Sequence, residues 1–341
     1  MSIGGENGAA AASGPSQRRP YGRHLWIVRR VALGVVVLFA VSVIVFAATQ
    51  ALPGDAARSI LGKEATPEAL AAVRDQLGLN RPLLGQYTDW LGNLATLDFG
   101  TSLAGRRPVS ATLEPRLVNS LTLLVIVAVI AIPLSILIGA VTAIRRDRLL
   151  DRGFLFGSLA LTAVPDFVTG LLLVVLLATT VFNVLPAVST FPPGDFPLMH
   201  PRELVLPVAT AVLAISPYLY RLVRATMIDV LESEYIDMAR LKGVPERTVM
   251  LRHALPNALV PVIQGSALML AWLLGGIVVI EFLFAYPGVG SLLTGAIANR
   301  DVPVIQAVML VLATGVVVFN LVADALTIVA TPKLRTGFLR R

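Results

Sequence analysis

Residues 234 to 257, EYIDMARLKGVPERTVMLRHALPN, place charged side chains, a glycine and two prolines between two long apolar runs. Tyr235, Met238 and Ala239 fall on one face of a helix that Gly243 would end, and a proline two residues later can open a second helix. The small residues Ala239 and Gly243 would let another protein approach the backbone closely. The pattern predicts a helix–Gly–helix elbow built for contact with a partner, and it contains no catalytic constellation.

Five other residues could carry chemistry at or near membrane depth. Asp166 and Asp324 are ionisable groups in apolar surroundings, where a carboxylate either lines a polar path or makes a structural hydrogen bond to a neighbouring helix. Arg221 and Arg224 suit a gate at the inner end of a helix, or they are anchors that extend to the lipid head groups. His253 has no second ligand at metal-binding spacing, so we expect no metal site there.

The elements that must position these residues are long uncharged stretches in a chain with only 14% charged residues. Soluble domains typically have about a quarter. A helix rises 1.5 Å per residue, so about 20 apolar residues cross the ~30 Å hydrocarbon layer. We therefore expect an all-α polytopic membrane protein with about six transmembrane helices. The stretches are 31–57, which Asp55 is the first charge to interrupt, and the uncharged stretches 117–144, 167–194, 204–220, 254–280 and 302–323.

The distribution of positive charge predicts the orientation. With the N-terminus in the cytoplasm, 19 of the 28 Lys and Arg residues lie inside and 9 outside, 7 of those in the long segment 51–116. Long loops are translocated largely regardless of charge, so the short loops place both termini in the cytoplasm. The net charge of +7 is thus explained without nucleic acid. The chain has no cysteine, which excludes disulfides and thiol metal sites.

A turn or re-entrant segment is expected at 287–290, and the third transmembrane helix, about 153–182, is expected to contain Asp166 in its interior. Together, these patterns divide the chain into five parts. The parts are a disordered cytoplasmic extension at 1–25, transmembrane helix 1 at 26–50, an extracytoplasmic cap at 51–115, a transmembrane core at 116–331 with the elbow at 232–256, and a cytoplasmic tail at 332–341.

The elbow resembles a motif of ABC importer permeases, written E-A-A-x3-G-x9-I-x-L-P. Here Asp237-Met238-Ala239 is followed by Gly243 at the motif's spacing, and nine residues later by His253-Ala254-Leu255-Pro256. Asp replaces Glu, Met replaces the first Ala, and His replaces Ile. By this resemblance the ATPase-coupling residues are Asp237, Met238, Ala239, Gly243, His253, Leu255 and Pro256.

Three further stretches resemble the dipeptide/oligopeptide/nickel permease branch of that family. They are LGLNRPLLGQYTDWLGNL followed by DFGTS within 77–102, FLFAYPGVGSLLTGAIANRDVPVIQA at 282–307, and Asn320-Leu321 with Asp324 and Pro332-Lys333-x-Arg335 near the end. The branch usually ends Asp-Pro-Arg, and Thr331-Pro332-Lys333 departs from that. The resemblance covers roughly residues 25 to 335 and implies a type I ABC importer permease fold.

The resemblance implies a non-catalytic subunit in a bacterial plasma membrane, with no cofactor of its own. No G-x-x-x-x-G-K-[ST] loop occurs in the sequence, so ATP would be hydrolysed elsewhere. The implied partners are two cytoplasmic ABC ATPase subunits or domains, a second homologous permease and an extracytoplasmic solute-binding protein. The implied cargo is a peptide-like solute, and the alternatives are nickel chelates, glutathione or another small solute. A stand-alone secondary transporter is the competing class.

Overall fold

The computed structural model describes residues 22–51, 66–76, 80–192 and 194–330, and the regular structure within these ranges is helical. A π-helical turn at Val175–Thr179 extends the helix that begins at Asp166, another at Val249–Ala254 joins the helices Glu246–Thr248 and Leu255–Leu283, and a 3-10 turn at Pro197–Met199 precedes the helix that begins at Pro201. The helices are α1 (Gly22–Gln50), α2 (Pro67–Gln76), α3 (Leu83–Ala95), α4 (Val109–Ile144), α5 (Leu149–Ala163), α6 (Asp166–Val174), α7 (Pro201–Leu231), α8 (Glu234–Leu241), α9 (Glu246–Thr248), α10 (Leu255–Leu283), α11 (Val289–Ala298) and α12 (Val302–Ala330).

Within the described residues, five helical stretches are long and apolar enough to cross a membrane: α1, α4, α7, α9 with α10, and α12. The pair α5 and α6 supplies a sixth span if the two helices count as one. The expectation of an all-α protein with about six transmembrane helices is confirmed. Since the orientation places the elbow inside, α7 runs from its outer end at Pro201 to its inner end at Leu231.

The third predicted transmembrane helix is not continuous, and that expectation was wrong. It breaks between Ala163 and Asp166, and the two halves, α5 and α6, meet at an angle of 102°. Pro165 explains the break, because proline lacks a backbone N–H and disfavours helical geometry in the residue before it. Val164 is accordingly extended, with ψ at 128°. Asp166 therefore begins a helix instead of lying within one.

Several helices also begin earlier than their apolar stretches indicated. The helix α4 starts at Val109, inside the cap predicted for 51–115, because the apolar run marks where a helix enters lipid and not where it forms. The second elbow helix is α9, which continues through a π-helical turn into α10. The helix α1 already includes residues 22–25 of the predicted extension. The rest of that extension and the tail at 332–341 lie outside the described residues.

The helix α7 forms the centre of the bundle and contacts α4, α5, α6 and α10. Ile215, Leu219 and Val223 on α7 are fully buried or nearly so. Gly139 of α4 makes the α4–α7 contact close: a Cβ at this position would lie 2.7 Å from the Val223 side chain. Small residues at such crossings allow van der Waals contact between helix backbones in membranes.

The outer segment between α1 and α4 is tied to the core. Tyr87 and Trp90 of α3 pack against Phe46 of α1, with ring centroids 5.3 and 5.8 Å away, and Ser42 shares a 2.8 Å hydrogen bond with the Tyr87 hydroxyl. Tyrosine and tryptophan favour the membrane–water interface, which fits α3 at the outer surface. In the helix before it, the Thr66 hydroxyl accepts a hydrogen bond from the Ala69 N–H and so caps the start of α2.

Candidate functional site

One face of the elbow is anchored to the inner end of the bundle. Ile236 of α8, together with Val249 and Ala254 of the following turn, is completely buried. They join Val223 and Met227 of α7 in one apolar cluster. Because both arms of the elbow bury side chains in the same cluster, a displacement of the elbow must move the inner ends of α7 and α10.

The turn between the two arms is stabilised by a glycine and an arginine. Gly243 has φ of +75°, a conformation that residues with a Cβ rarely adopt, so its place at the end of α8 follows from backbone geometry. Arg240 donates hydrogen bonds of 3.0 and 3.3 Å to the two carboxylate oxygens of Glu246, and one of 3.4 Å to Asp237. Those bonds to Glu246 raise the pKa of the Arg240 guanidinium, which remains charged and holds the two arms together.

The opposite face of the elbow exposes large apolar side chains. Tyr235, Met238 and Leu241 are 45%, 56% and 82% exposed and follow one another at three-residue spacing along α8. Leu251 on the second arm is also exposed. We call the three α8 residues Tyr235, Met238 and Leu241 the docking face. Asp237, a charged residue, precedes Met238 in the sequence. An exposed apolar patch on a charged surface segment marks an interaction site.

The structure separates the seven predicted coupling residues into two groups. Asp237, Met238, Gly243 and Pro256 are exposed, whereas Ala239, His253 and Leu255 are partly buried. Ala239 and Leu255 pack against the buried cluster beneath the elbow. The seven positions therefore include both exposed residues and residues that attach the elbow to the bundle.

Sequence reasoning missed Ile236 and Leu241. A signal was present: Ile236, Val249 and Ala254 are apolar positions in a segment that also carries many charges, and Leu241 lies three residues after Met238 on the same helical face. What the sequence did not reveal is which of these apolar positions face the bundle.

Two arginine–carboxylate pairs connect the inner ends of the helices that lead into the elbow. Arg224 of α7 donates hydrogen bonds of 2.6 and 2.7 Å to the two carboxylate oxygens of Asp151 on α5. Arg146, in the loop between α4 and α5, pairs with Glu232 at the end of α7. The first pair is largely buried and the second is exposed. Arg224, which the sequence offered as an anchor or a gate, thus binds α5 to α7.

The remaining candidates at membrane depth have different surroundings. Arg221 donates a 2.9 Å hydrogen bond to the Thr162 hydroxyl and a 3.3 Å bond to the Ser158 carbonyl, both on α5. Asp324 forms a 3.0 Å ion pair with Arg30 of α1, which gives it a structural partner on a neighbouring helix. Asp166 is half-buried, and no hydrogen bond or ion pair joins its carboxylate to another described residue.

A buried carboxylate at the outer end of α10 was not identified from the sequence. Glu281 is fully buried and accepts hydrogen bonds of 2.5 Å from the Ser120 hydroxyl and 2.6 Å from the Gly290 N–H. The segment predicted as a turn at 287–290 leads into α11, and Gly290 lies so close to α10 that a Cβ would collide with the Val278 backbone. Glu281 therefore holds the first turn of α11 against α4 and α10.

Comparison with known families agrees with this architecture. Residues 131–336 match the family described as binding-protein-dependent transport system inner membrane component. Residues 24–124 match the corresponding N-terminal family of membrane components. The chain belongs to this family, which makes it a multi-pass inner-membrane permease subunit of a transport system, with a type I ABC permease fold.

Two similar proteins, both named as permeases, align with this chain over nearly their whole length. A Brucella abortus (strain 2308) protein, provisionally named a peptide transport system permease protein, is 38% identical over 309 residues, which cover 91% of this chain and 98% of that protein. The glutathione transport system permease protein GsiC of Escherichia coli (strain K12) is 36% identical over 314 residues, which cover 91% and 98%.

Proposed function

We propose that this chain is the non-catalytic half of the membrane pathway in an ATP-driven importer of peptides, and that it receives force from a separate ATPase through the elbow. The observation that carries the proposal is the elbow's two-sided construction. One face is buried among the inner ends of α7 and α10, and the other presents Tyr235, Met238 and Leu241 outside the bundle.

The physical reasoning is mechanical. A partner that covers the docking face gains apolar burial of about 25 cal/mol per Å2, and it pushes on a segment whose opposite face cannot slide independently of the bundle. When the ATPase subunits or domains close and reopen, the inner ends of α7 and α10 move with them. A second permease of similar build completes the path, and an extracytoplasmic binding protein delivers cargo to the outer side.

The peptide cargo is supported by the relatives, whose names refer to peptide and to glutathione, itself a tripeptide. Measurement of uptake by the reconstituted complex, with radiolabelled dipeptide, glutathione and a nickel chelate compared, would identify the cargo. Uptake in the absence of ATP would instead indicate a secondary transporter.

Replacement of Leu241 by Glu tests the docking face. Leu241 is 82% exposed, so its side chain contributes little to folding, but a carboxylate there would be buried without a partner once an ATPase covers it. We expect loss of ATPase co-purification and at least a roughly tenfold drop in ATP-driven uptake, which corresponds to about 1.4 kcal/mol of contact energy.

Leu149→Glu is the matched control. Leu149 begins α5 on the same side of the membrane, is 88% exposed and lies outside the elbow. This variant should retain ATPase binding and uptake. If Leu241→Glu behaved like Leu149→Glu, the elbow would not be the ATPase contact.

A further inference from the structure

The helix α10 leaves one face uncovered along most of its length. Its exposed positions recur every three or four residues and therefore form one stripe. Among them Gln264 stands out, because its amide is exposed at membrane depth and makes no hydrogen bond to any residue that the structure describes. The stripe consists of Pro261, Gln264, Leu268, Trp272, Gly275 and Val279.

A tyrosine of α7 borders the same opening. The ring of Tyr218 lies 3.7 Å from the position that a Cβ on Gly265 would occupy, and Gly265 is the residue that follows Gln264 on α10. Tyr218 is partly exposed, and its hydroxyl has no hydrogen-bond partner within the described ranges. The opposite flank of α7 is covered, since Val223 packs on Gly139 of α4. The opening therefore lies on the side of the bundle away from α4.

A third helix contributes a carboxylate to this side. Gly170 of α6 packs against Thr210 of α7 and Leu283 of α10, so this face of α6 is turned towards both helices. Asp166 precedes Gly170 by four residues, so it lies one helical turn earlier on the same face of α6. Its carboxylate is half-buried and unbonded to the rest of the described structure. Leu283 is 18 residues beyond Gly265 on α10, so Asp166 borders α7 and α10 nearer the outer surface than Gln264 does.

The exposed face of α4 has a different composition, and the contrast indicates what each face contacts. It presents Leu121, Val125 and Val129 at four-residue spacing, and the one hydroxyl among them, on Thr122, is bonded to the Val118 carbonyl at 2.8 Å. This is a surface suited to lipid. An unbonded amide and an unbonded carboxylate are costly in hydrocarbon, and such groups instead face a bundle interior or water.

We propose that Gln264 and Tyr218 form a contact point for the backbone of a peptide as it passes through a water-filled path along α7 and α10, with Asp166 facing the same path. This inference rests on the proposed function and adds the residues that touch the cargo. An amide side chain both donates and accepts hydrogen bonds, so it matches the N–H and C=O groups of any peptide bond. The exposed rings of Tyr218 and Trp272 provide apolar surface for variable side chains.

The absence of cysteine from the sequence allows a direct test by thiol labelling. In the assembled transporter, in vesicles with the cytoplasmic side outward, Gln264→Cys should react with a membrane-impermeant maleimide. Saturating dipeptide, enclosed in the vesicles with the binding protein so that it reaches the outer side of the transporter, should slow labelling of this chain at least about threefold. Val129→Cys, at a position that is 67% exposed on α4, should stay unlabelled as the lipid-facing control.

Three results would overturn the inference. If Gln264→Cys did not react, the face would be sealed by the second permease or by lipid. If it reacted but peptide did not slow the reaction, cargo would not touch it. If Val129→Cys reacted equally fast, the distinction between the two faces would be lost.

Transport kinetics separate this inference from the proposed function. Gln264→Leu should raise the KM for peptide uptake about 2- to 10-fold, the effect of one lost neutral hydrogen bond, while ATPase co-purification stays unchanged. Gln264→Asn should recover part of the loss. A wild-type KM for Gln264→Leu, with Leu241→Glu still inactive, would reject the contact point and leave the elbow assignment intact.

Discussion

The two arginine–carboxylate pairs at the inner surface both connect the α4–α5 region to the inner part of α7 or the residue after it, but they should differ several-fold in their contribution to stability. In the Arg224–Asp151 pair, the side chains are 18% and 2% exposed, and both carboxylate oxygens accept hydrogen bonds. In the Arg146–Glu232 pair, the side chains are 47% and 65% exposed. The matched changes are Asp151→Asn and Glu232→Gln, which remove one negative charge each and preserve side-chain shape.

The magnitudes follow from burial. Removal of one partner from a buried pair typically costs about 3–5 kcal/mol, because the other charge is left without compensation. We expect about 3 kcal/mol for Asp151→Asn, at the lower end of that range, because the amide oxygen still accepts a bond and Arg224 keeps some contact with solvent. The exposed pair should contribute about 0.2–1 kcal/mol. Arg146 also has Asp147 at 3.6 Å, which further reduces the effect of Glu232→Gln.

The assay is unfolding of the purified protein in detergent by increasing sodium dodecyl sulfate, followed by circular dichroism. A double-mutant cycle with Arg224→Gln would isolate the coupling energy of the buried pair. Equal destabilisation by Asp151→Asn and Glu232→Gln would refute the reasoning from burial. So would a cost below about 1 kcal/mol for Asp151→Asn, which is the range of an exposed pair.

Two further predictions concern the outer half of the molecule. Gly290→Ala should destabilise the protein by about 1–3 kcal/mol, because the added methyl group would overpack against the Val278 backbone. Gly295→Ala is the control on the same helix and should be nearly neutral, since there is open space around Gly295. The two variants are compared by the amount of folded protein recovered from membranes. Asp301→Ala should free the outer loop, because the carboxylate accepts hydrogen bonds from the Leu103 and Ala104 N–H groups as well as the Ser102 hydroxyl. Protease added outside should then cleave residues 96–108 faster than in the wild type, and no change in cleavage would show that the loop is held by other contacts.

The elbow shows how far local sequence reasoning reaches. The spacing of Gly243 and Pro245 predicted two arms with a turn between them, and the structure has that turn with a positive φ at Gly243. Such features are local, because the conformational freedom of glycine and the missing N–H of proline act within a few residues. The long apolar runs likewise predicted the membrane helices, since hydrocarbon thickness sets their length.

The sequence by itself thus determined the helical class, the orientation in the membrane and the existence of the elbow, all of which depend on composition and short-range spacing. Tertiary structure alone decided which groups meet. Asp324 lies nearly 300 positions from Arg30, and Glu281 about 160 from Ser120, yet both pairs are in contact. It also decided that Gln264 and Tyr218 border one opening while Val129 does not. These relations depend on how the helices pack around α7, and packing is set by the shapes of many side chains at once.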